Sequence, residues 1–159
     1  MREMKLPLFS IVQIVFLCAL SFSGWAVSDP IVTKKVEGRF IEVAGNIRQS
    51  ILGKGLNIAH TLPASGMLGR TGPAFGYKEQ VYLDAEIFEF CSASISHKLS
   101  RSNPDNIVLC PFTISVYVLN SDPTNVRISY RIPTGRPGSE EIVKEVVALI
   151  ESIIEDATW

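Results

Sequence analysis

Cys91 and Cys110 are the residues of this chain best suited to chemistry. In an oxidising compartment such a pair forms a disulfide. The bridge would close a loop of about 20 residues and stabilise the fold by about 3 kcal/mol on the chain-entropy model. Two other readings stay open. The thiols could be buried as small hydrophobes. They could also form a reactive pair that cycles between dithiol and disulfide or carries sulfur. The spacing is not C-x-x-C, so the thioredoxin-type motif is absent.

Other constellations are weaker. His60 and His97 could join the cysteines around a metal or a haem. Cys91 and His97 are six apart, which puts them on different faces of a helix. Without close-spaced ligand pairs there is no zinc signature, and no metal ligand is assigned. Ser92, His97 and Asp84 make a triad only on paper, because no G-x-S-x-G elbow supports a nucleophile. The glycines at 66, 69, 72 and 76 lack the G-x-G-x-x-G and Gly-Lys-Ser/Thr patterns that cradle phosphate. They read as a loop that can line a pocket. Asp84/Glu86 and Glu140/Glu141 read as solvated acids. Arg127 and Arg131 share one strand face and could bind an anion, but a solvated or salt-bridged face is the leading reading. No catalytic residue emerges.

The elements that must position these residues follow from periodicity. Ile31–Val36 is a strand candidate. Phe40, Ala44, Ile47 and Ile51 form one helical stripe, ended by Gly53 and Gly55. Leu56–Leu62 returns as a strand. Residues 63–80 read as a Gly/Pro loop with one helical turn at Ser65–Arg70. Tyr82–Phe90 is strand-like. Cys91–Ser100 is a short helix with Ile95 and Leu99 inward, and Asn103–Asn106 is a turn. Phe112, Ile114, Val116 and Val118 alternate with polar residues, as do Val126, Ile128, Tyr130 and Ile132. These two runs predict an antiparallel pair, with Asn120–Asn125 as the connection. Ser139 is the expected cap of a last helix whose buried stripe is Ile142, Val146, Leu149, Ile153 and Ala157. The order is β-α-β-(loop)-β-α-β-β-α. It predicts an α+β, two-layer domain over residues 27–159, with helices packed on one face of a mostly antiparallel sheet.

The chain is 159 residues long with net charge −1, and 47% of it is apolar. That excludes a disordered chain, and it supplies no basic excess for nucleic acid. The first 26 residues hold 17 apolar ones. Arg2 and Lys5 precede the apolar run Leu6–Leu20, and Gly24 and Ala26 offer the small residues a signal peptidase needs. Residues 1–26 are therefore expected to be a secretory signal peptide cut after Ala26. The run is short for a membrane span. Phe16 and Leu17 are too bulky for a lipobox at Cys18. The expected mature protein is periplasmic or secreted and not membrane-inserted. Its apolar share falls to about 43%, that of an ordinary soluble domain.

Phe88-Glu89-Phe90-Cys91-Ser92-Ala93 and Leu109-Cys110-Pro111-Phe112-Thr113-Ile114-Ser115-Val116-Tyr117 carry a resemblance. They are similar to the two motifs of the "domain of unknown function 302" family, over roughly Phe40 to Pro133. In that family a strand turns into a helix at Cys-Asn-Ala or Gly-Asn-Pro. A Leu-Pro-Cys/Leu-Arg turn then leads into a Val-Tyr strand. Ser92 replaces the usual Asn and Phe112 the usual Cys or Leu. Cys110 precedes the proline, so the family's second cysteine does not carry over to it. The resemblance implies a small α+β fold of the TATA-binding-protein type and a tendency to dimerise. It implies no activity. Ser92, Pro111, Thr113 and His97 are the candidate ligand contacts.

The expected function is that of an exported, non-catalytic module binding a small ligand or a protein, as a homodimer. A periplasmic thiol/disulfide or sulfur-handling protein is the first alternative, and a haem or metal binder the second. No cofactor is assigned.

Overall fold

The computed structural model describes residues 30–158. The expected signal peptide, its cleavage point and Cys18 lie outside the described residues. Among the described residues, no helix is long and apolar enough to cross a membrane.

Five strands form one antiparallel sheet, with spatial order β1-β5-β4-β3-β2. They are β1 (Ile31–Val36), β2 (Asn57–Leu62), β3 (Tyr82–Cys91), β4 (Phe112–Leu119) and β5 (Asp122–Arg131). Between and after them come helices α1 (Phe40–Gly53), α2 (Ala64–Thr71), α3 (Ala93–Ser102) and α4 (Glu140–Ala157). Short 3₁₀ turns occupy Gly72–Phe75 and Pro104–Leu109. The two-layer α+β architecture matches the expectation from periodicity.

Strand alternation decides the layers. Phe88 and Phe90 of β3 face the same way as Phe112, Ile114 and Val116 of β4 and Ile128 of β5. All are buried in one core with Ile47 and Ile51 of α1, Ile95 and Leu99 of α3, and Val146 and Ile153 of α4. Burial of such apolar area at about 25 cal/mol per Å² is the main force holding the sheet to this helix layer. The α4 stripe is broader than expected. Ile150 and Ile154 are buried, while Ile142 and Leu149 pack at its margin.

Three local expectations are corrected. The segment after Pro63 contains a two-turn helix, α2, rather than one turn at Ser65–Arg70. Strand β5 begins at Asp122, so Asn120 and Ser121 alone make the hairpin turn, with Leu119 paired to Asp122. Ser139 stands at the start of α4, but its hydroxyl makes no cap bond. Its Oγ accepts instead from Asn106 Nδ2 at 2.7 Å. Asn106 is 2% exposed and also reaches Ser102 Oγ and Leu99 O. Its Oδ1 accepts the Arg136 backbone N–H at 2.8 Å. This buried knot ties the Pro104–Leu109 turn to the loop before α4. The local sequence supplied a helix cap, but a buried amide needing partners took the serine.

Candidate functional site

Cys91 and Cys110 are joined as a disulfide, with their Cα atoms 6.0 Å apart. That separation lies in the ordinary range for a bridge. Cys91 ends β3, and Cys110 immediately precedes β4. The peptide between Cys110 and Pro111 is cis. The bridge therefore clasps the loop that carries α3 at one end of the β3–β4 pair.

The remaining candidate contacts are scattered. Ser92 is buried at the N-terminus of α3, where its Oγ accepts from the Ile95 backbone N–H at 3.4 Å. It works there as a helix cap. His97 is exposed on α3, in the helix layer. His60 is exposed on the edge strand β2. Asp84 and Ser92 sit at opposite ends of β3, roughly 25 Å apart along the strand, so the paper triad does not assemble. Among the described residues, no group of three or more His, Cys, Asp or Glu is placed to hold a metal. Glu86 pairs with Arg48 at 3.8 Å. Arg127 pairs with Asp122 at 2.9 Å. Arg131 lies on the same face as Arg127 and has no carboxylate partner among the described residues.

The sheet face opposite the main helix layer is where groups converge. Register places Thr33, Ser129, Ser115, Ile87 and Leu62 in one row across all five strands. The row is hydroxylic on the β1 side and apolar on the β2 side. Its polar half is tied together, with Thr33 Oγ1 and Ser129 Oγ 2.8 Å apart and Tyr117 Oη 3.1 Å from Ser129 Oγ. Arg131 and Thr113 flank it, and both line the same groove. The apolar half lies beneath α2, which contributes Ala64, Met67 and Leu68. The groove has a volume of about 410 Å³, within the range of small-molecule sites.

A second groove of about 460 Å³ adjoins it, sharing Met67, Leu68 and Tyr82. The Tyr82 ring stands edge-on to Tyr117 at 5.5 Å. Glycines make this packing feasible. At Gly72 an added Cβ would lie 3.2 Å from the Tyr77 carbonyl oxygen, so the chain leading back to β3 passes close to the end of α2. Gly76 has φ +83°, a left-handed turn that an L side chain rarely adopts. Phe75, Tyr77 and Val81 around this second groove are 75%, 71% and 64% exposed.

Of the candidate contacts read from sequence, Thr113 lines the groove, while Ser92, Pro111 and His97 are absent from its lining. Met67, Leu68, Ile87 and Tyr82 were not anticipated as site residues. The signal for them was present in Met67 and Leu68, the apolar pair inside a glycine-punctuated stretch.

A family model described as "Domain of unknown function DUF302" matches residues 32–157. The match is wider than the Phe40–Pro133 stretch that carried the resemblance, and it takes in β1 and α4. Among solved structures, an uncharacterized conserved DUF302 protein from Bacillus stearothermophilus is similar, with a TM-score of 0.68. The two share 15% identity over 82% of this chain and 99% of that one. At that identity the likeness concerns the fold alone. No curated protein matches the chain. With sheet order, helix layer and motif turns in place, the chain belongs to the DUF302 family.

Proposed function

We propose that the protein is an exported, non-catalytic binding module whose site is the groove between α2 and the open sheet face. One observation carries this reading. A sheet face that would otherwise meet water is roofed at one end by a short helix, leaving a concave space with an apolar wall and a polar wall. Such a combination is the usual form of a small-ligand site. No nucleophile–base pair stands beside it among the hydrogen bonds of the described residues. Export rests on the leader pattern of residues 1–26, and the proposed location is the periplasm or the medium.

The partner we propose is a second copy of this chain, docked through Phe75, Tyr77 and Val81. Their exposure beside one another makes an apolar patch of the kind that marks interaction sites.

A neutral, environment-sensitive dye such as Nile red tests the site. Ser115 is half-buried on the groove floor and outside the core. Ser115→Phe fills the space while raising strand propensity. The reading predicts saturable dye binding to the wild-type protein and its loss in Ser115→Phe. Equal binding by both proteins, or none by either, contradicts it.

A further inference from the structure

We propose that the groove's ligand is an amphipathic carboxylate, a chain or ring system with one acidic head; this rests on the open face being the binding site. The row Thr33-Ser129-Ser115-Ile87-Leu62 changes from hydroxyl to hydrocarbon as it crosses the sheet. A ligand lying along that row meets donors at one end and Met67 and Leu68 at the other. The charge at the donor end is positive. Arg131 projects from the β1-side half of the groove, where the row is hydroxylic. It is exposed and carries no ion pair among the described residues. A guanidinium presents planar paired N–H donors that match a carboxylate.

Its surroundings do not cancel that charge. Lys35 and Arg127 occupy the next row, and Asp122 is 3.6 and 2.9 Å from them. Glu89 shares the flanking row through its pairing with Thr113. It stands two strands from Arg131, roughly 10 Å away between backbones at the ordinary strand spacing, and among the described residues the two make no ion pair. Among the described residues Lys35, Arg127 and Arg131 stand on this face against Asp122 and Glu89, with Arg131 outside the Asp122 cluster, and Glu86, which also lines the groove, is paired with Arg48. The tail end has room to continue, because the neighbouring groove shares Met67, Leu68 and Tyr82. A cationic head meets like charge at the Arg131 end.

Competition against Nile red with decanoate, decanol and decyltrimethylammonium separates head from tail. Wild-type protein is expected to bind decanoate about fivefold more tightly than decanol, the scale of an exposed ion pair. The cationic probe should bind more weakly than either. In Arg131→Gln the decanoate advantage disappears and decanol affinity is unchanged. Arg131 is exposed, so this variant is expected to fold as the parent does. Raising the salt concentration should shrink the decanoate advantage in the parent only. Equal affinity for decanoate and decanol in the wild type overturns the acid-head assignment and leaves the groove standing. So does a decanoate preference that survives in Arg131→Gln. Failure of every probe to displace the dye, or displacement that persists in Ser115→Phe, overturns the groove reading itself.

Discussion

Asn106 holds four partners, and its loss has a calculable effect. Replacing it with alanine leaves the Arg136 N–H without its acceptor and the Ser139 hydroxyl without its nearest donor, while the Leu99 carbonyl keeps Ser102 Oγ and the Asn103 N–H. Unmet buried polar groups of this kind cost about 1–3 kcal/mol. Asn106→Ala is therefore expected to lower the free energy of unfolding by about 2 kcal/mol in urea titration. An effect within about 0.5 kcal/mol, that of an ordinary surface change, removes the knot as a structural element. The disulfide gives a second prediction at this scale. Protein processed after Ala26 should show no reactive thiol when native, and two after unfolding and reduction. Loss of the bridge by Cys110→Ala should cost about 3 kcal/mol. Native thiols that react and reoxidise under mild conditions would favour the redox reading. Cys91 and Cys110 were legible as a candidate pair from their count and the expected export. The buried amide was not, because Asn103–Asn106 reads as a turn and two of its partners, Ser139 and Arg136, lie 30 or more residues away.

At the scale of elements, α2 and the segment that follows it shape the groove. Gly69 and Gly72 both face the returning chain, but they meet different atoms. An added Cβ at Gly69 meets the end of the Gln80 side chain, which can swing aside. At Gly72 it would lie 3.2 Å from the Tyr77 carbonyl oxygen, a backbone atom. That backbone is held, since Tyr77 N–H donates to Gly72 O at 3.0 Å. Gly69→Ala should be near neutral in thermal unfolding, helped by alanine's helix propensity. Gly72→Ala should cost about 1 kcal/mol. The reverse ranking contradicts this packing. Across the sheet, β5 is anchored to α4 by Tyr130 Oη, which donates to Glu151 Oε1 at 2.9 Å. Burial, with help from Glu151, pushes the Tyr130 hydroxyl up to about 12. The folded state then holds this proton more tightly than the unfolded one. Its contribution is intact below pH 10 and is lost between pH 10 and about 12. Tyr130→Phe should show less alkaline destabilisation over that window in pH-dependent urea melts. The alternating strands and three amphipathic helices were legible because each repeats one period over many residues. The short helix α2 was not. Its glycines and prolines read as loop, and what makes it a helix is packing against β3, a contact with no local signature.

At the scale of the whole molecule, two outer edges and one open face remain. The β1 edge carries Lys34 and Lys35, charges that discourage edge-to-edge pairing. The exposed patch of Phe75, Tyr77 and Val81 lies away from that edge, beside α2. Light scattering should give the mass of a dimer at micromolar concentration, and Phe75→Ser/Tyr77→Ser should shift it to monomer without loss of fold. A parent that stays monomeric at those concentrations refutes the patch as a self-association surface. The proposed export makes its own prediction. Mass spectrometry of protein recovered outside the cytoplasm should place the new N-terminus at Val27. The central claim concerns the open face, and amide chemical-shift mapping tests it most directly. On titration with decanoate, shifts should concentrate at Ile87, Thr113, Ser115, Ser129, Arg131 and the amides of α2. Shifts confined to the helix layer, around α1, α3 and α4, would contradict it.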